Sequence, residues 1–385
     1  MVKRLQHTEL LSVYLQSLST NNYIIMKKRY TYLFAAVLSL ACATPSEACT
    51  GITLKTADGN TVVARTIEWN GNDLNSRIIV VPRKHKQNAI TPSGKKEGMT
   101  IEAKYGYVGM AVEMEEFVVE GINEAGLSAG LFYFPKYGKY EQYDPRHKSM
   151  SVGDLQLVPW ILGNFKTIDE MKTAIAKIHI VTIDSRASTA HWRIIDSSGR
   201  QVVLEITDGK PAFHENTLGV LTNAPGFEWH MTNLNNYINL FPGTVKSKYL
   251  GETELNSTGA GSGLLGLPGD FTPPSRFIRA AYFQTTAPRQ ATAEKTITQC
   301  FHILNNFDVP IGTESEHNVT PPDIPSATQW TAATDISGRK IYYRTMYNSD
   351  IRCIDLNKID FVRTKYHSAP LDKQKEQHFV TVDIR

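Results

Sequence analysis

Short runs of alternating apolar and polar residues, each ended by a turn, dominate the chain after residue 50. Residues 50–54 and 61–65 flank Asp58-Gly59, a dipeptide typical of tight hairpin turns, and therefore predict a first β-hairpin. The same alternation predicts a second hairpin around Ser198-Gly199. The strands of the second hairpin are expected at 191–195 and 201–205. Further strands are expected at 77–81, 117–120, 127–131, 340–344 and 351–359.

Three stretches have helical rather than strand periodicity. Apolar side chains recur every three or four positions in residues 152–177, which predicts a helix there, although Pro159 either delays its start or kinks it. Residues 274–283 and 297–305 predict two more helices. Strands and helices come in separate blocks instead of alternating, so the pattern favours a layered α+β fold over a parallel βαβ fold.

Residues 26–48 are organised like a secretion signal. A basic stretch at 27–29 precedes a short apolar run at 33–43, and small residues stand at Ser46 and Ala48. Met26 is the more natural start, so we expect residues 1–25 to be an over-long start-site extension, the alternative being one unusually long n-region. The apolar run is too short for a membrane-spanning stop-transfer helix. We therefore expect residues 1–48 to be removed and 49–385, which no linker-like tract divides, to form a single domain.

Cleavage after Ala48 would make Cys49 the first residue of the exported protein. Its α-amine would then titrate near ~8 and its thiol near ~8.5, so both are partly deprotonated around neutral pH. The amine can accept the thiol proton directly or through a water molecule. One residue would thus supply both nucleophile and base for attack on an amide carbonyl. The competing interpretation is that Cys49 is merely the first ordered residue of a secreted protein.

The remaining cysteines and the net charge limit the functions that the chain can have. Of four cysteines, Cys42 leaves with the signal, and an odd number then remains in an exported protein, which fits a reactive thiol at Cys49. Pairing of Cys300 with Cys353 stays open. Residues 39–42 loosely resemble a lipid-attachment site, and this alternative predicts a non-catalytic, lipid-anchored surface or binding protein. A net charge of +3 gives no indication of a nucleic-acid surface.

Several short motifs occur together and in order. They lie at residues 49–51, 64–68, 121–127, 221–225, 266–271 and 275–281. In this combination the chain resembles the choloylglycine hydrolase and penicillin V acylase family of N-terminal-nucleophile hydrolases. The resemblance implies an α+β fold of the four-layer αββα type, with two stacked antiparallel sheets between helix layers. It also implies hydrolysis of a linear, non-peptide amide C–N bond.

The resemblance assigns roles residue by residue. Cys49 matches the nucleophile, and Arg65 matches the arginine beside it, where a cation stabilises a thiolate. Glu68 stands where most of the family has aspartate, a carboxylate that holds the N-terminal amine, and its extra methylene alters that placement. Asn223 matches the side-chain donor of the oxyanion hole. Arg276 matches the distal arginine of the site.

Two features bear on substrate and assembly. Tyr133 occupies a position where bile-salt hydrolases of the family usually have asparagine and penicillin V acylases tyrosine, and its backbone N–H matches the second oxyanion donor. Its side chain favours aromatic acyl groups. Residues 227–266, in contrast, resemble the assembly loop of tetrameric bile-salt hydrolases, which implies a homotetramer.

Cofactor and metal signatures are missing from the sequence. Residues 261–266 fit a glycine-rich nucleotide motif, but Leu267-Pro268-Gly269 follows where a helix would have to begin. No paired metal-ligand spacing occurs among the histidines. We therefore expect an exported, periplasmic or extracellular bacterial hydrolase without cofactor, not associated with a membrane after processing. The expected substrates are glycine- or taurine-conjugated bile salts, with penicillin V and N-acyl homoserine lactones as alternatives.

Overall fold

Two antiparallel sheets form the centre of the computed structural model, which describes residues 49–183, 189–311, 313 and 324–384. The first sheet has the order β1-β2-β16-β17-β18, with labels following the chain. Its strands are β1 (Cys49–Lys55), β2 (Thr61–Gly71), β16 (Ile324–Asp335), β17 (Lys340–Thr345) and β18 (Arg352–Asp355). The expected leader and signal, residues 1–48, lie outside the described residues.

The second sheet has eight strands in the order β13-β12-β11-β8-β7-β6-β3-β19. They are β3 (Arg77–Val81), β6 (Tyr107–Ala111), β7 (Val118–Asn123), β8 (Ser128–Tyr133), β11 (Ala190–Ile195), β12 (Gln201–Thr207), β13 (Lys210–Glu215) and β19 (His367–Pro370). Three small two-stranded sheets are β4 (Lys86–Asn88) with β5 (Thr100–Glu102), β9 (Ser151–Gly153) with β10 (His179–Val181), and β14 (Lys248–Leu250) with β15 (Thr253–Leu255).

Helices cover the outer face of each sheet. They are α1 (Leu157–Asn164), α2 (Ile168–Ile175), α3 (Phe227–Asn233), α4 (Pro273–Thr286) and α5 (Ala293–Leu304). Short 3-10 turns occupy Pro145–Met150, Asp154–Gln156, Leu234–Tyr237, Ser262–Leu264, Asn305–Phe307 and Leu356–Lys358. α4 packs on β1, α5 on β2 and β16, and α1 on β7 and β8. The four layers are therefore helix, sheet, sheet and helix, which confirms the expected αββα sandwich.

The hydrophobic core between the sheets comes from alternate positions along their strands. Val63 of the first sheet belongs to the same buried cluster as Val108 and Phe132 of the second. A separate cluster fills the space between the second sheet and α1, where Trp192 and neighbouring side chains meet the helix. Because alternate residues of a strand share a face, Arg65 lies on the same face of β2 as Val63, and Arg193 lies on the same face of the second sheet as Phe132, so charged side chains stand between the sheets among the apolar ones.

The structure corrects two predicted elements. Residues 152–177 do not form one helix: a strand and a 3-10 turn come first, and α1 and α2 are separated at Thr167, whose side chain caps α2 by accepting from the Glu170 N–H. Pro159 lies in the first turn of α1, where a missing N–H costs no intrahelical hydrogen bond. Residues 351–359 are a strand only at Arg352–Asp355, and a 3-10 turn follows.

The described part of the chain shows whether Cys300 and Cys353 are paired and whether any helix could cross a membrane. Cys300 is buried, Cys353 is exposed, and the structure joins neither in a disulfide. The pairing left open above does not form. No helix within the described ranges has the length and apolar character needed to cross a membrane.

Candidate active site

Cys49 lies at the start of an edge strand of the first sheet. Cys49 begins β1, lies opposite Ile67 of β2, and is buried. Two residues along, Gly51 exchanges backbone hydrogen bonds with Leu221, of 2.7 Å from its N–H and 3.1 Å to its carbonyl. This bridge draws the segment 221–223 alongside β1. The backbone nitrogen of Cys49 consequently donates to Asn223 Oδ1 at 2.8 Å.

The Cys49 sulfur lies against a guanidinium group. Arg65 Nη2 is 2.9 Å from Cys49 Sγ, and the arginine side chain is 1% exposed. Its Cζ is 4.0 Å from the centre of the Phe132 ring, and Nη1 donates to the Leu131 carbonyl. A buried cation in contact with sulfur favours the thiolate form of a cysteine. The structure thus brings together the predicted pair of Cys49 and Arg65.

Asn223 connects three parts of the site through its amide. Oδ1 accepts from the Cys49 nitrogen and from Arg276 Nη2, the latter at 2.8 Å, while Nδ2 donates to the Tyr133 carbonyl at 2.9 Å. Two donors on one side and an acceptor on the other fix the orientation of the amide. In a strand, the N–H and C=O of one residue point to the same side. The Tyr133 N–H therefore faces the same region as Asn223 Nδ2.

Arg276 supports the site from the helix layer. It lies in α4 and is fully buried. Nη1 donates to the Cys49 carbonyl at 2.6 Å and to Thr50 Oγ1 at 2.9 Å, and Nε donates to the Phe271 carbonyl at 2.7 Å. Because one guanidinium contacts both Cys49 and Asn223, it fixes the distance between them.

Glu68 follows directly after Ile67, the residue of β2 opposite Cys49, and it is 1% exposed. Its Oε1 accepts from Thr328 Oγ1 at 3.0 Å, whereas Oε2 has no hydrogen-bond partner among the described residues. Burial raises the pKa of Glu68 from 4.5 to about 8, despite the opposing charges of Arg276 and Arg65. The hold of Glu68 on the N-terminal amine stays a prediction.

The sequence did not predict a role for two buried histidines, His191 and His230, which contact the backbone at Thr222 and Asn223. The Nε2 of His191 bonds the Thr222 carbonyl at 3.0 Å, and the Nε2 of His230 bonds the Asn223 carbonyl at 2.9 Å. His191 Nδ1 also lies 3.1 Å from Glu205 Oε1. Burial lowers the pKa of His230 to about 4, so this ring is neutral at ordinary pH. Both rings hold the backbone that carries the Asn223 amide.

A profile of the linear amide C–N hydrolases, choloylglycine hydrolase family, matches residues 49–374. The chain belongs to the choloylglycine hydrolase family. The match begins at Cys49, the residue at which the contacts of Arg65, Asn223 and Arg276 converge.

Proteins similar to this chain include bile salt hydrolases and a penicillin V acylase. The bile salt hydrolase/transferase of Clostridium perfringens is 35% identical over 316 residues, 80% of this chain and 93% of the relative. A penicillin V acylase of Pectobacterium atrosepticum is 25% identical over 338 residues, 81% of each chain. A crystal structure of a mutant conjugated bile acid hydrolase from Clostridium perfringens superposes with a TM-score of 0.75 at 31% identity, covering 87% of this chain and 100% of that one.

These comparisons show a hydrolase of linear amide C–N bonds other than peptide bonds. The roles expected for Cys49, Arg65, Glu68, Asn223 and Arg276 remain predictions, although Arg65, Asn223 and Arg276 all contact Cys49 and Glu68 follows the residue opposite it. Tyr133 joins them through its backbone carbonyl. Within the described ranges, no three His, Cys, Asp or Glu side chains converge as a metal-binding group.

Proposed function

We propose that this protein is a cysteine N-terminal-nucleophile hydrolase acting on conjugated bile salts. The observation that carries the proposal is the contact of 2.9 Å between Arg65 Nη2 and Cys49 Sγ, next to a Cys49 nitrogen held by Asn223. In the mature protein the α-amine of Cys49 accepts the thiol proton. The thiolate then adds to the substrate carbonyl carbon. The carbonyl oxygen, now negative, is stabilised by Asn223 Nδ2 and the Tyr133 N–H.

The reaction then has two further stages, collapse of the tetrahedral intermediate and hydrolysis of the acyl-enzyme. The C–N bond cleaves as the leaving nitrogen takes the proton from the α-amine, which leaves an acyl thioester on Cys49. A water molecule, deprotonated by the same amine, hydrolyses the thioester, releasing the carboxylic acid and restoring the thiol. Replacing Cys49 with alanine abolishes turnover in this scheme while the fold persists. Turnover by a folded Cys49→Ala protein would contradict it.

Relatives named as bile salt hydrolases support glycine and taurine conjugates as substrates, and Tyr133 together with the penicillin V acylase relative supports penicillin V. The experiment offers glycocholate, taurocholate and penicillin V in parallel to protein that begins at Cys49. Faster release of glycine or taurine is expected. Faster cleavage of penicillin V would instead make the Tyr133 side chain part of an aromatic acyl pocket. Cleavage of N-acyl homoserine lactones alone would reject both substrate classes.

Export with removal of residues 1–48 is required for an α-amine on Cys49. The basic stretch, apolar run and small residues before Ala48 support it. Mass spectrometry of the protein recovered from the periplasm or medium should find Cys49 as the first residue. A lipid-modified terminus at Cys42 would favour the non-catalytic anchored protein instead.

A homotetramer is supported by the surface of residues 227–266. This segment exposes several large apolar side chains, namely Trp229, Ile238, Phe241, Val245, Tyr249, Leu250, Leu255 and Leu265. Contiguous exposed apolar side chains commonly mark protein–protein contacts. Light scattering of the mature protein should give four times the monomer mass, and Leu250→Glu in the β14–β15 hairpin should lower it.

A further inference from the structure

Three residues lie in a row across the second sheet, on the face toward the Cys49 sulfur. Gly130 of β8 is paired with Glu120 of β7 on one side and with Arg193 of β11 on the other. Arg193 Nη2 reaches across the glycine and donates to Glu120 Oε1. A Cβ on residue 130 would lie 2.3 Å from Glu120 Oε2 and 3.2 Å from Arg193 Nη2. The missing side chain of Gly130 therefore makes room for this ion pair.

The pair continues directly to the arginine beside the candidate nucleophile. Glu120 Oε2 lies 3.7 Å from Arg65 Nη1, while Nη2 of the same guanidinium contacts Cys49 Sγ. One edge of Arg65 thus faces a carboxylate and the other faces sulfur. The side chains of Arg65 and Arg193 are each 1% exposed and that of Glu120 is 2% exposed. Water screens these charges very little.

Arg193 changes the net charge of the group that it forms with Arg65 and Glu120. Arg65 and Glu120 alone would form a neutral pair, in which the carboxylate offsets the attraction of Arg65 for a thiolate. Arg193 adds a second positive charge next to Glu120. Its Nε and Nη1 have no hydrogen-bond partner among the described residues. Within those residues, the guanidinium forms its ion pair with the Glu120 carboxylate. The three groups together carry one excess positive charge in a buried place, which is costly unless an anion lies nearby.

We propose that Glu120 and Arg193 are positioning residues for Arg65: Glu120 holds its guanidinium against Cys49, and Arg193 cancels the carboxylate charge so that Arg65 remains available to a thiolate. This inference rests on the proposed role of Cys49 as nucleophile. Charged groups approach Cys49 from other elements too, namely Glu68 on β2, Arg276 on α4 and the α-amine of Cys49 itself. The test must therefore change Glu120 and Arg193 while leaving those groups in place.

The test measures the alkylation rate of Cys49 by iodoacetamide between pH 5 and 9 in protein that begins at Cys49. Mass spectrometry of the N-terminal peptide separates this reaction from that of exposed Cys353. In Arg193→Met, Glu120 is left to neutralise Arg65, so the thiolate fraction falls and the alkylation rate at pH 6 drops about tenfold. In the double variant Glu120→Gln/Arg193→Met, the net charge of the cluster is restored and the amide oxygen of the glutamine can still accept from Arg65, so the rate should recover to within about threefold of the original.

Recovery in the double variant distinguishes charge balance from simple damage to packing. If the two residues were merely structural, removing both would leave Cys49 at least as unreactive as removing Arg193 alone. In Arg193→Met the remaining Glu120 still faces Arg65, and the double variant holds no carboxylate there, so neither leaves a buried carboxylate without a countercharge; circular dichroism checks that both are folded. Arg193→Lys, which keeps the charge, should retain most of the reactivity. Arg83→Met, which breaks the exposed ion pair of 2.7 Å with Glu124, is the matched control and should leave the rate unchanged.

Two results would overturn the inference: an unchanged alkylation profile in folded Arg193→Met, or a double variant as slow as Arg193→Met. Neither depends on knowing the substrate. Turnover that persists in Cys49→Ala would instead reject the nucleophile role of Cys49, while the alkylation series would still report on the charge cluster. With a cleaved substrate in hand, Arg193→Met should lower kcat at low pH while KM stays within about threefold.

Discussion

Asn223 offers a sharp test of the site because its amide makes contacts that can be removed separately. Asn223→Ala deletes the acceptor used by the Cys49 nitrogen and Arg276, together with the donor to the Tyr133 carbonyl. Two hydrogen bonds of about 1 kcal/mol and one to a charged group of about 2 kcal/mol sum to a loss of about 4 kcal/mol in the free energy of unfolding. Losing a side-chain oxyanion donor should also lower kcat by about 10² to 10³.

Asn223→Asp separates these two effects. Aspartate keeps oxygen acceptors for the Cys49 nitrogen and Arg276 and adds a negative charge opposite Arg276, but it has no N–H to offer an oxyanion. We expect it to keep a larger share of the stability than alanine and to lose the same 10² to 10³ in kcat. Urea denaturation and steady-state release of glycine from protein beginning at Cys49 measure both quantities. A kcat within fivefold of the original in folded Asn223→Asp would refute the oxyanion role.

Three further predictions follow from buried groups near the site. In the chain that retains residues 1–48, Glu68 has its pKa raised from 4.5 to about 8, so the folded state holds a proton that the unfolded state releases, and the free energy of unfolding falls as pH rises through that window. Urea denaturation of Glu68→Gln should show a flatter pH dependence, and an equal fall in the variant would contradict the assignment. Burial lowers the pKa of His230 from 6.5 to about 4, so stability should fall as pH drops from 6.5 through 4, and His230→Gln should flatten that fall. Thermal denaturation of Gly130→Ala should show a loss of about 1–3 kcal/mol, whereas Gly269→Ala, with nothing near its Cβ, should be neutral; equal melting temperatures would exclude the close approach at Gly130.

Local signals in the sequence predicted the hairpins and two of the helices well. The Asp58-Gly59 turn joins β1 to β2 with Lys55 opposite Thr61, as its hairpin dipeptide indicates. The helices predicted at 274–283 and 297–305 correspond to α4 and α5. Both signals depend on neighbouring residues only, so they can be recognised in the sequence without the tertiary structure.

The central strand of the first sheet, which depends on a distant partner, was not predicted. β16 was missed, although it lies in the centre of the first sheet and pairs with β2 over a separation of more than 250 residues. Its alternation of small and polar residues becomes meaningful only once β2 and β17 flank it. The motif resemblance supplied Arg65, Asn223 and Arg276, but Glu120 and Arg193 looked like ordinary strand residues. Only the register across Gly130 brings their charges together.

The central place of β16 has a consequence for how the protein is made. β2 carries Arg65 and Glu68, yet one of its two edges stays unpaired until residues 324–335 have left the ribosome. The first sheet therefore forms late in synthesis, because its central contacts are highly non-local and such pairings fold slowly. Chains cut short before β16 would expose the β2 edge, a site for aggregation, and would lack an assembled Cys49 environment. The surroundings of Cys49 are thus completed only by residues far along the chain.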